Sequence, residues 1–332
     1  MSPEVSVILP VYKADKFIKK CIQSILRQSF ENFELIIVTN GSNKVTISEI
    51  ETFSNPRIIR YNLDYPNLVE AVNLAISNSN GKYIARIDAD DRMPPNRLEI
   101  QKHFLDQNPD YDVVSGLVHY DGDRKKYYGY YYHVKWLNQL KNHENIFLNR
   151  FVDSPVSNPS LMMRKILFDQ FGLYRQGNFP EDYEMILRWL EKGIKIGKVD
   201  QKVLYWRDHP DRLTRNNENY NQDAFYRIKT QYFAQWMENS KWTEKEVLIW
   251  GTGKSVYEKS KYLTDHGIKI GGYIDIKKTL KIFKEAPVYY YNFFPENLMI
   301  LSYVSDRKGR QLIHNFLIRS GYREGDDFYM MS

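Results

Sequence analysis

Short apolar runs alternate with stretches in which apolar residues recur every three or four positions through the first 120 residues. Val5 to Leu9 reads as a buried strand, and Phe17, Ile18, Cys21, Ile22, Ile25 and Leu26 follow at helical spacing. Phe33 to Val38 is a second strand, closed by the turn sequence Thr39-Asn40-Gly41-Ser42, and Ile58-Ile59 marks a third. Leu68, Val72, Ala75 and Ile76 share one helical face ahead of a strand at Tyr83 to Ile87. Pro94-Pro95 opens another helix, and Val113 to Val118 is strand-like. Such alternation is the pattern of βαβ units around a parallel sheet.

From about 130 to 240 the periodicity is less regular, with helices expected at Trp136 to Leu148, at Asp182 to Lys192 and up to Trp236. Tyr127-Tyr128-Gly129-Tyr130-Tyr131-Tyr132 reads as an aromatic-rich strand or edge, or as a platform for sugar rings. Asn239-Ser240-Lys241 resembles a linker. A new unit begins at Val247-Leu248-Ile249-Trp250-Gly251-Thr252-Gly253-Lys254, a strand running into a Gly-rich turn. A helix to Leu263 and a strand from Ile268 to Ile274, ending on Asp275, complete a small second α/β domain. The expected layout is a domain over 1–240 and a Rossmann-like one over 245–332.

Composition narrows the classes. At 332 residues the chain suits two domains, and no apolar run reaches the length of a membrane span. The single cysteine, Cys21, sits on the apolar face of a helix and fits a cytoplasmic protein. The net charge of +6 is dispersed, with only Arg124-Lys125-Lys126 as a short block, so nucleic acid is not the expected partner. The charge suits a cleft for diphosphates or peripheral contact with anionic lipid. The C-terminal domain is a candidate contact between copies of the chain.

Candidate chemistry is concentrated where Tyr83-Ile84-Ala85-Arg86-Ile87 runs into Asp88-Ala89-Asp90-Asp91. In open α/β sheets ligands bind outside the carboxyl ends of strands, so these acids face a crevice. Asp88 and Asp90 can converge as hard oxygen ligands for Mn²⁺ or Mg²⁺, which keep positions open for phosphates. An acidic turn capping the next helix is the alternative. The turn at Gly251 to Lys254 invites a dinucleotide-binding reading, but Val256 stands where the fingerprint needs a third glycine.

Several segments together resemble the family 2 glycosyltransferases, inverting enzymes of the GT-A fold. They are Val5-Ser6-Val7-Ile8-Leu9-Pro10-Val11-Tyr12, then Asn67 to Asn73 with Gly81 to Asp91, then Pro95 to Glu99. Asn158 to Arg164 and Pro180-Glu181-Asp182-Tyr183-Glu184 follow in the family's order. The resemblance implies an α/β GT-A domain with a mostly parallel sheet, a nucleotide-sugar donor and a glycan or glycoconjugate acceptor. It places the nucleotide against Pro10, Val11, Tyr12, Asn40 and Asn67, and against Arg86, Asp88, Ala89 and Asp90. It makes Asp90 the principal metal ligand, with Asp88 nearer the ribose or a bridging water. Asp182 is the implied general base, supported by Glu181. Tyr205 to Leu213 resembles the family's Arg/His-bearing segment, so His209 completes the metal shell or touches a phosphate, and Arg207 or Arg212 pairs with the diphosphate. Trp136 and Asp153 are further acceptor-side candidates.

One departure stands out: the family carries two acids where this chain has Thr39-Asn40. The amide of Asn40 can still accept from a uracil ring, which keeps a UDP-linked donor in view. The same departure motivates a second reading, a catalytically impaired glycan-binding or scaffold protein. A nicotinamide-binding oxidoreductase rests on Gly251 to Lys254 alone. The layout as a whole also resembles the β-1,3-N-acetylglucosaminyltransferase-like proteins, through Trp136 to Leu140, the Trp-Gly-x-Gly-Lys unit and Glu324 to Phe328.

Overall fold

The computed structural model describes residues 2–243 and 246–332; Lys245, the expected start of the second domain, lies outside the described residues. The chain divides into two compact units. One comprises Met1–Ile146, Val156–Gly177 and Lys192–Asn216, the other Phe147–Pro155, Asn178–Glu191 and Asn217–Ser332.

The first unit is a seven-stranded sheet flanked by helices. Its strands are β1 (Val5–Val11), β2 (Phe33–Asn40), β3 (Ile58–Leu63), β4 (Tyr83–Arg86), β5 (Val113–Asp121), β6 (Met162–Arg164) and β7 (Ile196–Arg207), in the order β3-β2-β1-β4-β6-β5-β7. Only β6 runs antiparallel to its neighbours β4 and β5. The parallel strands β1, β2 and β4 are buried along their whole length, which is why they read as continuous apolar runs. Ile18, Cys21, Ile22 and Ile25 of helix Ile18–Leu26 bury their stripe against this sheet.

Three expectations change here. Thr39 and Asn40 lie in the strand and not in a turn, since they pair with Asn62 and Leu63 of β3. The tyrosine-rich segment is helical, over Tyr128–Gln139, and is not a strand or edge. Tyr127, Tyr130, Tyr131 and Val134 recur at helical spacing and pack on Val118, Tyr120, Val203 and Leu204. A separate helix, His143–Leu148, follows an extended break at Leu140, so the expected helix from Trp136 to Leu148 is two.

The second unit holds a six-stranded sheet made of β8 (Val247–Trp250), β9 (Ile270–Asp275), β10 (Ile282–Phe283), β11 (Ala286–Tyr290), β12 (Met299–Ser302) and β13 (Phe328–Met330). The order is β10-β11-β9-β8-β12-β13, parallel except for β10, a Rossmann-like arrangement. The turn after β8 ties its own candidate acid to the backbone. Asp275, where a ribose-binding acid would sit, accepts the Thr252 N–H (3.1 Å) and also its hydroxyl. Val256 is buried.

Lys229, on helix Gln222–Glu238, is 2% exposed and donates to the carbonyls of Val152 (3.0 Å) and Met331 (2.8 Å). Burial pushes its ammonium down from 10.5 to about 7. Between those values the unfolded chain binds a proton that the folded chain has released. Stability should therefore rise with pH across the window, by up to about 1.4 kcal/mol per pH unit. Urea midpoints measured through the window should flatten in Lys229→Met; an unchanged slope would show that another group carries it.

Candidate active site

Strand β4 ends at Arg86, and the chain turns immediately, with the Asp91 N–H donating to the Asp88 carbonyl at 3.1 Å. The turn gathers Asp88, Asp90 and Asp91 so that one oxygen of each lies within 4.8 Å of the others. Three carboxylates this close repel one another unless cations offset them. Arg212, itself buried, reaches all three, at 3.8 Å from Asp88, 3.4 Å from Asp90 and 3.3 Å from Asp91. Arg86 pairs with Asp88 at 2.9 Å, and His209 Nε2 lies 2.9 Å from Asp90 Oδ2. Arg207 contributes its backbone N–H, donated to Asp91 Oδ1 at 2.8 Å.

The acids do not share one electrostatic state. Burial raises Asp90, but Arg212 and His209 outweigh it and hold the carboxyl below its usual range. Asp91 is fully enclosed, and burial, reinforced by Asp90 and Asp88, pushes it well up despite Arg212. Asp90 is thus the strongest candidate for a permanently ionised ligand.

The residues fit a divalent cation. Asp90 Oδ1, Asp91 Oδ2 and His209 Nδ1 are buried atoms with no hydrogen-bond partner. Unsatisfied acceptors are costly in a protein interior, and a hard cation would satisfy the oxygens. Asp91, for which the sequence alone suggests no ligand role, fits beside Asp88, Asp90 and His209. The run of three acids was its only signal.

Other side chains hold this turn in place. Arg97, completely buried, donates to the carbonyls of Arg86 (2.8 Å) and Leu161 (3.1 Å); burial lowers its guanidinium to about 9. The Cys21 thiol donates to the Asp88 carbonyl at 3.5 Å. The segment carrying His209 and Arg212 is anchored through Asp208, which accepts from Tyr120 (2.6 Å) and Arg215 (2.7 Å). Arg212 also stacks over Trp206, and the His209 ring lies 4.6 Å from Phe17. Nothing in the sequence signals these contacts, although Arg97, Trp206 and Asp208 lie within segments that resemble the family.

The expected nucleotide residues line the ends of neighbouring strands. Val11 closes β1 and Asn40 closes β2, and Asn40 Nδ2 donates to the Val11 carbonyl at 3.0 Å. Ser42 donates to the same carbonyl at 2.8 Å, a contact the sequence did not reveal. Pro10 pairs with Val38, and Tyr12 beyond it is 44% exposed. Gly41 has φ +64, and a Cβ there would sit 2.7 Å from Pro66 N, so glycine alone lets these two loops meet. Asn67 is occupied as a helix cap: it accepts the Glu70 N–H at 3.1 Å, and its amide donates to Glu70 at 2.9 Å.

Asp182 and Glu181 open helix Glu181–Glu191 in the second unit. Asp182 Oδ1 accepts the Tyr183 N–H at 2.7 Å, and Glu181 accepts from the Tyr220 hydroxyl. Asp153 belongs to the second unit, whereas Trp136 lies on the tyrosine-rich helix of the first.

The profile of the glycosyl transferase family 2 matches residues 6–172. The O-antigen biosynthesis glycosyltransferase WbnJ of Escherichia coli is 30% identical over 233 residues, covering 68% of this chain and 87% of that protein. Among solved structures, S. aureus TarS in complex with UDP-GlcNAc superposes with TM-score 0.56 at 18% identity, over 80% of this chain and 71% of that one. The Pyrobaculum calidifontis mannosyltransferase PcManGT, in complex with GDP-Man and Mn²⁺, gives 0.53 at 14% identity, over 80% and 74%. No helix among the described residues is long and apolar enough to cross a membrane. With half the chain matched by the profile and a relative of this identity, the chain belongs to glycosyltransferase family 2 and is a glycosyltransferase of the GT-A fold.

Proposed function

We propose that the chain is an inverting, metal-dependent transferase that moves a sugar from a UDP-linked donor to a hydroxyl of a glycan or glycoconjugate. The observation that carries this reading is the acid triad at the end of β4, part-buried at Asp88 and Asp90 and buried at Asp91, with unpartnered oxygens on Asp90 and Asp91. The names of the related proteins support its parts: a glycan product for WbnJ, UDP-GlcNAc for TarS, and Mn²⁺ for the mannosyltransferase. We take 1–240 as the transferase domain and 245–332 as an appended one.

Asp90 is the principal ligand of Mn²⁺ or Mg²⁺, with Asp88 and His209 beside it. When bound, the cation supplies Lewis-acid stabilisation of the departing diphosphate. Arg212 and Arg207 carry the positive charge that orients its oxygens. Pro10, Val11, Tyr12 and Asn40 hold the nucleoside, with Asn67 bordering the pocket. Asp182 removes the proton of the acceptor hydroxyl as its oxygen bonds to the anomeric carbon. The bond from that carbon to the diphosphate breaks on the opposite side, which inverts the centre.

Thr39-Asn40 favours one rival, a catalytically impaired glycan-binding protein. Hydrolysis of a UDP-sugar that depends on Mn²⁺ would exclude it; donor binding without turnover would establish it. The amide at Asn40 can donate as well as accept, so selection of the base should be looser than with a carboxylate. Calorimetric titration of UDP, GDP and dTDP with Mn²⁺ should show UDP bound best, with dTDP close behind. Exclusive binding of GDP would overturn the uridine assignment.

A further inference from the structure

Beyond the end of β5 the chain passes through Arg124, Lys125 and Lys126 into helix Tyr128–Gln139. Arg124, Lys125, Lys126 and Lys135 are all exposed. Among the described residues, none of the four side chains makes an ion pair with a carboxylate within 4.0 Å. Asp123 accepts the backbone N–H groups of Lys125 (2.9 Å) and Lys126 (3.0 Å), and Asp121 pairs with Arg92 at 3.0 Å. The cations rest instead on phenol rings: Arg124 lies 5.2 Å over Tyr131, Lys126 5.1 Å over Tyr127, and Lys135 5.5 Å over Tyr132.

While the inner face of this helix packs on the sheet, Tyr128 remains 58% exposed, with its ring centroid 4.1 Å from that of Tyr132. We infer that Arg124 to Lys126, with Tyr128 and Lys135, form a docking surface for an anionic lipid membrane. Lysine and arginine gain electrostatically near an anionic leaflet, and tyrosine suits its interface, with the ring among headgroups and the hydroxyl in water. A sugar or a nucleobase would instead need an open ring face to stack on. Here Tyr132 stands against Tyr128, and lysines stand over Tyr127 and Tyr132. The surface adjoins the site within the same unit, because Asp121 pairs with Arg92, the residue after Asp91. Docking would present the donor site to an acceptor carried on lipid, although the surface itself does not depend on the catalytic reading.

Co-sedimentation of the full chain with vesicles tests this surface. Binding is expected to phosphatidylcholine vesicles containing a quarter phosphatidylglycerol, not to phosphatidylcholine alone, and to be released by salt. Lys125→Glu combined with Lys126→Glu should weaken the partition by about thirty-fold or more. Tyr128→Ser should weaken it less, with an unchanged thermal melt in both variants. Wild-type chain that ignores the anionic vesicles, or variants that sediment like wild type, would overturn the assignment. Displacement from the vesicles by a single-stranded oligonucleotide or a soluble glycan would overturn it too, giving the surface to that class of partner.

Discussion

Asp90→Ala is expected to lower transfer by about 10³-fold or more while the fold persists, because several kcal/mol of leaving-group stabilisation disappear with the cation. Asp90 is the acid best placed to stay charged, with Arg212 and His209 holding its carboxyl down and Oδ1 left without a partner. Removing it also relieves repulsion within the triad, and Arg212 keeps Asp88 and Asp91, so no buried cation is stranded. The Mn²⁺-induced shift in melting temperature should vanish together with turnover. Asp91→Asn is the instructive companion, since an amide oxygen can still accept the Arg207 N–H. If Asp90→Ala retained turnover with its full metal dependence, the principal ligand would have to be sought at Asp88 or Asp91.

The acid cluster behind that expectation was largely legible in the chain. An apolar strand that stops against Asp88-Ala89-Asp90-Asp91 states both the burial and the place where it ends, since strands β1, β2 and β4 are covered on both faces. The balance among the acids was not legible. Arg212 and His209 lie more than a hundred residues away, and only the return of β7 beside β5 brings them back to β4's end. Propensity misled at Tyr127 to Tyr132, because consecutive aromatics favour a strand while their packing follows a helical stripe. What Asp275 touches was also hidden in sequence: it is tied to Thr252 by two hydrogen bonds.

Asp182→Asn is expected to cost about 10² to 10⁴ in transfer rate while donor binding survives. A single displacement needs a carboxylate on the acceptor side and no enzyme nucleophile on the opposite face. Asp182 lies in the first turn of its helix, where the dipole favours a negative charge, and its Oδ1 accepts the Tyr183 N–H. Asparagine keeps that acceptor and the helix start, so the variant removes basicity with little change in shape. In the proposed mechanism the acids after β4 and the loops at the ends of β1 and β2 hold the donor and Asp182 takes no part in holding it, so binding and turnover should separate. Calorimetry with UDP and Mn²⁺ should therefore match wild type while acceptor-dependent turnover falls. Loss of donor binding in the variant would make Asp182 structural. A product that keeps the donor's anomeric configuration, read by NMR coupling constants, would refute the single displacement itself, because one base and one attack can only invert the centre.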